Sequence, residues 1–207
     1  VTLRLMLVRH GETPSNVAHL LDSRPPGPSL TEQGRRQAEA LGERLADHDV
    51  IAVYASTAIR AQETAQPVAD VHGLAVEVMD GLFELQCGDL EMRGDEESLR
   101  AFGEVYLRWV HGDLDAAIPG GETGTHIRSR YLAALDRVLE HHRPDAEGTI
   151  VVVSHGGVIR LAAEWLADNV TPQMAGVQLL ANTGHVLLRA TGPTSWHCEE
   201  WTGVEVP

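Results

Sequence analysis

Two short apolar runs in this chain end on the same chemical phrase. Leu5-Met6-Leu7-Val8 runs into Arg9-His10-Gly11, and Ile150-Val151-Val152-Val153 runs into Ser154-His155-Gly156-Gly157. A buried strand that stops at a histidine, with a glycine next and a helical pattern after it, puts that imidazole at the carboxyl edge of a sheet. Open α/β proteins bind ligands at that edge. One such histidine reads equally well as a polar residue at a strand end. Two with the same grammar predict a pair of imidazoles in one pocket.

The neighbouring residues sharpen the expectation. Thr13 is a good N-cap and Pro14 suits a first helical position, so a helix opens just beyond His10 with its free amides near the imidazole. Val158 to Leu166 is apolar nearly all round and predicts a buried helix whose amino end points at the same place. Helix amino termini carry partial positive charge and unsatisfied N–H donors, which attract phosphate. Between the two phrases, Ile51-Ala52-Val53-Tyr54 reads as a third strand, followed by a helix over Ala58 to Val71 with Arg60 near its start. A guanidinium there grips two phosphate oxygens at once, and Arg9 offers a second clamp.

These residues carry a resemblance. Leu7 to Asn16, the Ser56 to Ala65 stretch, a carboxylate at Glu84, and Val153-Ser154-His155-Gly156-Gly157 together resemble the histidine phosphatase superfamily, the phosphoglycerate mutase-like fold. The order and spacing match across nearly the whole chain. The resemblance implies that His10 attacks phosphorus in line and forms a phosphohistidine, which splits one hard displacement into two easier ones. It also implies that Arg9, Arg60 and His155 hold the equatorial oxygens, where transition-state charge is spread. Asn16 adds a neutral donor, and Thr13, Arg24 and Gly156 are further substrate-binding candidates. Glu84 would protonate the leaving oxygen and then deprotonate the attacking water, a role that calls for burial or apolar neighbours. No metal and no cofactor is called for.

Two departures bear on the pocket. Family members often place a tryptophan and a glycine shortly after the acid, where this chain has Gly88-Asp89-Leu90-Glu91-Met92, and Thr57 stands where a proline is common. The catalytic set stays intact while the shape of the lid does not carry over.

Composition excludes several classes. With 207 residues, 43% of them apolar, the chain suits one domain with a real core. A net charge of −14 makes nucleic acid and anionic membrane poor partners, so positive charge must be confined to one cleft. The first residues already read as a strand, with no leader pattern and no apolar stretch long enough to span a bilayer; a soluble, cytoplasmic protein is expected. A homodimer is left open. Cys87 and Cys198 are too few and too far apart for a disulfide framework or a zinc motif and read as reduced thiols. The adjacent His141 and His142 point about 100° apart on a helix, which suits a solvated helix end better than a metal pair.

The coarse reading alternates strands and helices. Strands are expected at Leu3 to Val8, Ile51 to Tyr54, Ala75 to Met79, Ile150 to Val153, Gly184 to Ala190 and Trp196 to Trp201. Helices are expected at Thr13 to Leu20, after Thr31, at Ala58 to Val71, at Asp95 to Val110, from about Glu122, and at Val158 to Leu166. The alternation predicts a three-layer α/β sandwich with a mainly parallel sheet and helices on both faces, as a single domain over residues 1–207. Residues 81–121 lack a strand pattern and read as a cap or lid over the site.

That cap carries Glu84, Asp89, Glu91, Asp95, Glu96, Glu97 and Glu104 against Arg93 and Arg100. These carboxylates read either as a solvated helix face or, if some face the pocket, as a wall that repels heavily anionic substrates. The short acidic cap favours hydrolysis of a small phosphorylated metabolite, a monoester, over a phosphoglycerate mutase, which would want a basic insertion there. A noncatalytic phosphate-binding module is the third reading; its mark would be loss of the nucleophile or the acid, and both are present.

Overall fold

The computed structural model describes residues 2–142 and 146–207. Its strands are β1 (Leu3–Arg9), β2 (Val50–Ala55), β3 (Val76–Val78), β4 (Gly148–Ser154), β5 (His185–Ala190), β6 (Trp196–Trp201) and β7 (Val204–Glu205). They form one sheet in the order β3-β2-β4-β1-β5-β6-β7. The sheet is mixed. The neighbours β3, β2, β4 and β1 run parallel, and the β1–β5, β5–β6 and β6–β7 pairs are antiparallel.

Period-two alternation sorts the strand residues between two cores. Met6 and Val8 of β1 and Val151 and Val153 of β4 pack against α2 (Glu32–Leu45) and α3 (Ile59–His72), through Leu41, Leu45, Ala61, Ala65 and Val68. Leu5, Leu7, Ile150 and Val152 face the other way. They meet the layer built from α4 (Glu96–Val110), α5 (Gly124–Glu140) and α6 (Gly156–Leu166), through Trp109, Tyr131, Leu135, Ile159 and Leu161. Every residue of β4 is buried, as a central strand covered on both faces must be. The result is the expected helix–sheet–helix sandwich.

The register of the central pair decides where the site falls. β1 and β4 pair in parallel with Val8 opposite Val153 and Arg9 opposite Ser154, so the next residue on each strand is a histidine at the same sheet edge. The amide of His10 still donates to the Ser154 carbonyl at 3.0 Å. Beyond the strands, the ring centroids of His10 and His155 are 5.2 Å apart.

Three elements differ from the sequence expectation. The helix after Thr13 spans only α1 (Pro14–Val17) and does not reach Leu20. His19 turns left-handed at φ 55°, and the Leu20 amide bonds back to the Ser15 carbonyl at 2.9 Å, closing the helix end without a glycine. That reversal carries Leu20 and Leu21 onto the cavity wall. A further helix, α7 (Pro172–Val177), follows α6, and its signals are plain in retrospect: Thr171 caps it and Pro172 opens it. β7 has only two residues, too few for a periodic signal.

Residues 81–121 hold a 3₁₀ turn at Gly88–Leu90 and α4, without a strand of their own. His142, expected in solvent, instead lies edge-on to Tyr54 with its Nε2 2.9 Å from the phenolic oxygen. No helix among the described residues is long and apolar enough to cross a membrane.

Candidate active site

His10 sits at the end of β1, buried, with both ring nitrogens engaged. Nδ1 lies 2.7 Å from the Gly11 carbonyl, which only accepts, so Nδ1 carries the proton. Nε2 lies 3.2 Å from Nε of Arg60, an obligate donor, so Nε2 presents its lone pair. One tautomer satisfies both contacts, and in it the bare nitrogen faces a guanidinium. Burial and the cations Arg60 and Arg9 push the His10 imidazole well below its ordinary pKa and keep it neutral.

Arg60 is 2% exposed in the first turn of α3. Its Nη2 donates to the Asp22 carbonyl at 3.1 Å and its Nη1 is 3.8 Å from the Asp22 carboxylate. The loop above it must come close. A Cβ at Gly27, where φ is +64°, would stand 2.3 Å from Arg60 Nη1, so only glycine suits that position. Burial pulls the Arg60 guanidinium down from its ordinary value, with Asp22 and Glu84 opposing.

His155 stands at the N-cap of α6 with Nε2 2.7 Å from the Ser56 hydroxyl. Ser56 in turn accepts from the Ala58 amide at 3.2 Å. Burial, Arg60 and His10 hold the His155 imidazole well below the usual histidine range. Its Nδ1 and the Nη1 of Arg60 are buried without a hydrogen-bond partner among the described residues. Leaving such a donor unmade costs about 1–3 kcal/mol, and both belong to one cluster.

Arg9 and Glu84 complete the group. Arg9 lies along the start of α6, where a Cβ at Gly156 would come within 3.1 Å of its Cδ, and its Nη1 donates to the Leu180 carbonyl at 2.6 Å. Burial lowers the Arg9 guanidinium, opposed by the Glu84 charge. Glu84 accepts from the amides of Leu85 (3.0 Å), Gly157 (3.0 Å) and Val158 (2.9 Å). Two amides at the amino end of α6, Gly157 and Val158, expected to await phosphate, are therefore taken by Glu84. The amides after His10 are likewise engaged, Gly11 by Thr64, Glu12 by Gln37, Thr13 by Asn16 and Asn16 by Thr13. Side-chain guanidinium and imidazole groups, with the Gly156 amide at the first position of α6, are left to meet an anion.

Arg9, His10 and Glu84 line a cavity of about 570 Å³ whose wall also includes Asn16 and Gly156, while Arg60 and His155 are buried and not on that wall. Asn16 accepts on its carbonyl oxygen from Thr13 and Asn182, which aims the amide end elsewhere. Two further expected substrate ligands, Thr13 and Arg24, also lie off the wall. Thr13 is buried with its hydroxyl capping α1, so it reaches the site only through Asn16. Arg24 is exposed beside Ser23, with its backbone amide bound to Glu91. Of the cap's carboxylates only Glu84 lines the cavity. Glu91 binds Ser23, Asp95 caps α4 and Glu104 pairs with Arg100, so the solvated-face reading of that charge holds.

Sequence reasoning missed several residues that set this geometry. Arg130 of α5 donates to the carbonyls of Gly81, Phe83 and Glu84 at 2.8–3.0 Å, pairs with Glu122, and lies 3.9 Å from the Phe83 ring centroid. It clamps the loop that presents Glu84. Asn182 ties the His10 carbonyl to Asn16 from a distant loop and gives no local signal. Arg160, on the cavity wall, was findable as the one charged residue in the run Val158 to Ala163; it binds the Ala175 carbonyl and lies over Tyr106. Cys87, also on the wall, is a buried thiol that desolvation pushes up to about 12, which leaves it neutral.

Two imidazoles and two guanidiniums gathered at the carboxyl edge of parallel strands, facing one carboxylate, define a site for phosphate chemistry in an α/β sandwich. The chain belongs to the histidine phosphatase superfamily (branch 1), whose family model matches residues 5–203. It is 32% identical over 203 residues to phosphoglycerate mutase-like protein 4 of Arabidopsis thaliana, covering 97% of this chain and 85% of that protein. It is 29% identical to the PE-PGRS family protein PE_PGRS11 of Mycobacterium tuberculosis, covering 96% of this chain and 36% of that protein; it thus spans about a third of that relative. The structure of a mycobacterial glucosyl-3-phosphoglycerate phosphatase in complex with VO3 superposes with a TM-score of 0.81 at 26% identity, covering 97% of this chain and 99% of that one. Family and neighbours together support an enzyme of the phosphatase or mutase kind.

Proposed function

We propose that the protein hydrolyses a small phosphomonoester through a phosphohistidine on His10. The observation that carries this reading is the single tautomer of His10, with Nδ1–H on Gly11 and the Nε2 lone pair aimed at Arg60. An incoming phosphoryl group takes the place of His10 on the Arg60 guanidinium. Nε2 then bonds to phosphorus as the ester P–O bond breaks. Arg60, Arg9 and His155, donating from Nδ1 while Nε2 accepts from Ser56, hold the equatorial oxygens. Glu84, as the acid, gives its proton to the leaving alkoxide. In the second step the Glu84 carboxylate takes a proton from water, the water oxygen bonds to phosphorus, and the N–P bond breaks to release phosphate. We further propose that residues 81–121 act as the cap over this site and that Asn16 and Gly156 border the bound phosphate.

The mutase reading draws on the name of the Arabidopsis relative. It requires a grip on a second anion and exclusion of water from the phosphohistidine. Beyond Arg9, the only arginine on the cavity wall among the described residues is Arg160, which is committed to the Ala175 and Gly176 carbonyls. Hydrolysis is therefore preferred.

Phosphate release measured across a panel of phosphomonoesters, beside a phosphoglycerate isomerisation assay, tests the proposal. Phosphate release inhibited by vanadate, with little stimulation by bisphosphoglycerate, is the expected result. Isomerisation outpacing release by orders of magnitude would replace hydrolysis with mutase activity.

A further inference from the structure

The cavity continues beyond the groups that face phosphate, and there its wall changes character. Leu20, Leu21, Leu99, Phe102 and Leu179 line it. Leu179 is 73% exposed and Leu99 38% exposed, and on one cavity with Leu20, Leu21 and Phe102 they make a run of apolar lining of the kind that marks a ligand groove. Phe102 is a fixed plane. It stacks on Tyr106 with ring centroids 6.0 Å apart, and Tyr106 is held from behind by its hydroxyl on the Gly157 carbonyl.

Most polar side chains around this wall are already committed, and His19, exposed at its rim, is the exception. The Asp22 carboxylate accepts from Ser15 and lies 3.8 Å from Arg60 Nη1, Ser23 is bound to Glu91, and Arg160 to two backbone carbonyls. A sugar's hydroxyls or a second phosphate would surrender water here for few partners, at a cost that apolar atoms do not incur. The leucine wall is also tied to the phosphate site. Leu179 precedes Leu180, whose carbonyl takes Arg9 Nη1 at 2.6 Å, so the arginine beside His10 sets the position of this apolar segment.

We infer that the alcohol half of the substrate is an uncharged, largely apolar group, aryl or alkyl, packed on Phe102, Leu99 and Leu179 while its phosphate lies at His10. This rests on the phosphomonoesterase reading above and names its substrate class. Ethyl, butyl and hexyl phosphate, assayed beside glucose 6-phosphate and 3-phosphoglycerate, test it. Each added methylene is expected to raise kcat/KM by up to about fourfold, the ratio that corresponds to about 0.8 kcal/mol per buried CH₂. Hexyl phosphate is expected to exceed both polar esters.

Leu179→Asn is expected to flatten that dependence on chain length; its exposed position makes misfolding easy to exclude by an unfolding curve. A flat alkyl series, or a polar ester turned over faster than hexyl phosphate, overturns the apolar subsite while leaving phosphatase activity standing. An unchanged slope in Leu179→Asn overturns the assignment to this wall. No phosphate release from any ester would instead overturn the hydrolytic reading beneath it.

Discussion

Arg60 Nε donates to His10 Nε2 across 3.2 Å, so a fully buried guanidinium rests on the very lone pair assigned to attack. A neutral imidazole and a guanidinium can share that contact only while no anion claims the arginine. On the proposed mechanism the contact orients His10 between turnovers and is exchanged for phosphate during them.

His10→Ala is expected to abolish turnover with the fold retained. Brief exposure to labelled substrate should leave an acid-labile phosphoprotein in the parent alone. Because the proposed chemistry is carried by imidazole and guanidinium groups, a chelator should leave the rate unchanged. A label stable to acid, or full activity in the variant, would remove His10 from the mechanism.

Arg60→Ala removes a guanidinium that contacts every phosphate ester in the same way. A loss of about 3–4 kcal/mol of transition-state stabilisation is expected, by analogy with lost oxyanion donors, similar for aryl and alkyl esters. Loss confined to KM, with kcat intact, would reduce Arg60 to a ground-state ligand.

Glu84→Gln should discriminate where Arg60→Ala does not. Aryl phosphates leave with little protonation, so their rates are largely spared, and alkyl phosphates suffer most. Arg130→Ala should share this signature, because Arg130 holds the carbonyls of Gly81, Phe83 and Glu84. Misplacing the acid by an ångström costs on the order of 100-fold. Equal losses on both ester types in Glu84→Gln would assign the proton to another group.

Stability should fall as pH drops below about 6.5, the ordinary value for histidine in the unfolded chain. His10 and His155 are held well below that value when folded, so between the two values the unfolded state binds protons that the folded state does not. Stability is then fully present above about 6.5 and is lost as pH falls, by up to about 1.4 kcal/mol per pH unit for each fully differential proton. His185, also depressed by burial, adds in the same direction. Denaturant curves from pH 7.5 to 5 measure the slope, and His155→Asn should reduce it. A slope unchanged in that variant would place the proton uptake elsewhere.

Much of this site was legible because its parts are local. A strand that ends in histidine-glycine announces both its partner edge and its imidazole, and Arg60 opens a plain helix, whereas Glu84 lies in a loop and stood out only through the family resemblance. What stayed hidden depends on contacts distant in sequence. Arg130 acts on Glu84 from 46 positions away, and Asn182 reaches His10 from 172 away; neither carries a pattern in its own neighbourhood. Part of the helix-end expectation was displaced for a related reason. Nothing near Gly157 reveals that a carboxylate from another loop will take its amide. The short α1 escaped because His19 takes a left-handed turn that glycine usually marks.

The three residues from His155 to Gly157 present a phosphate-facing imidazole on one side and an amide that fastens Glu84 on the other. Acid and imidazole therefore share one mount at the head of α6, braced by the Tyr106 hydroxyl on the Gly157 carbonyl and by Arg130 on the Glu84 carbonyl. Rim residues that make neither contact, such as Leu99 and Leu179, would be free to vary without retuning the reacting groups. Such a division would let one scaffold exchange substrates by rewriting its rim alone.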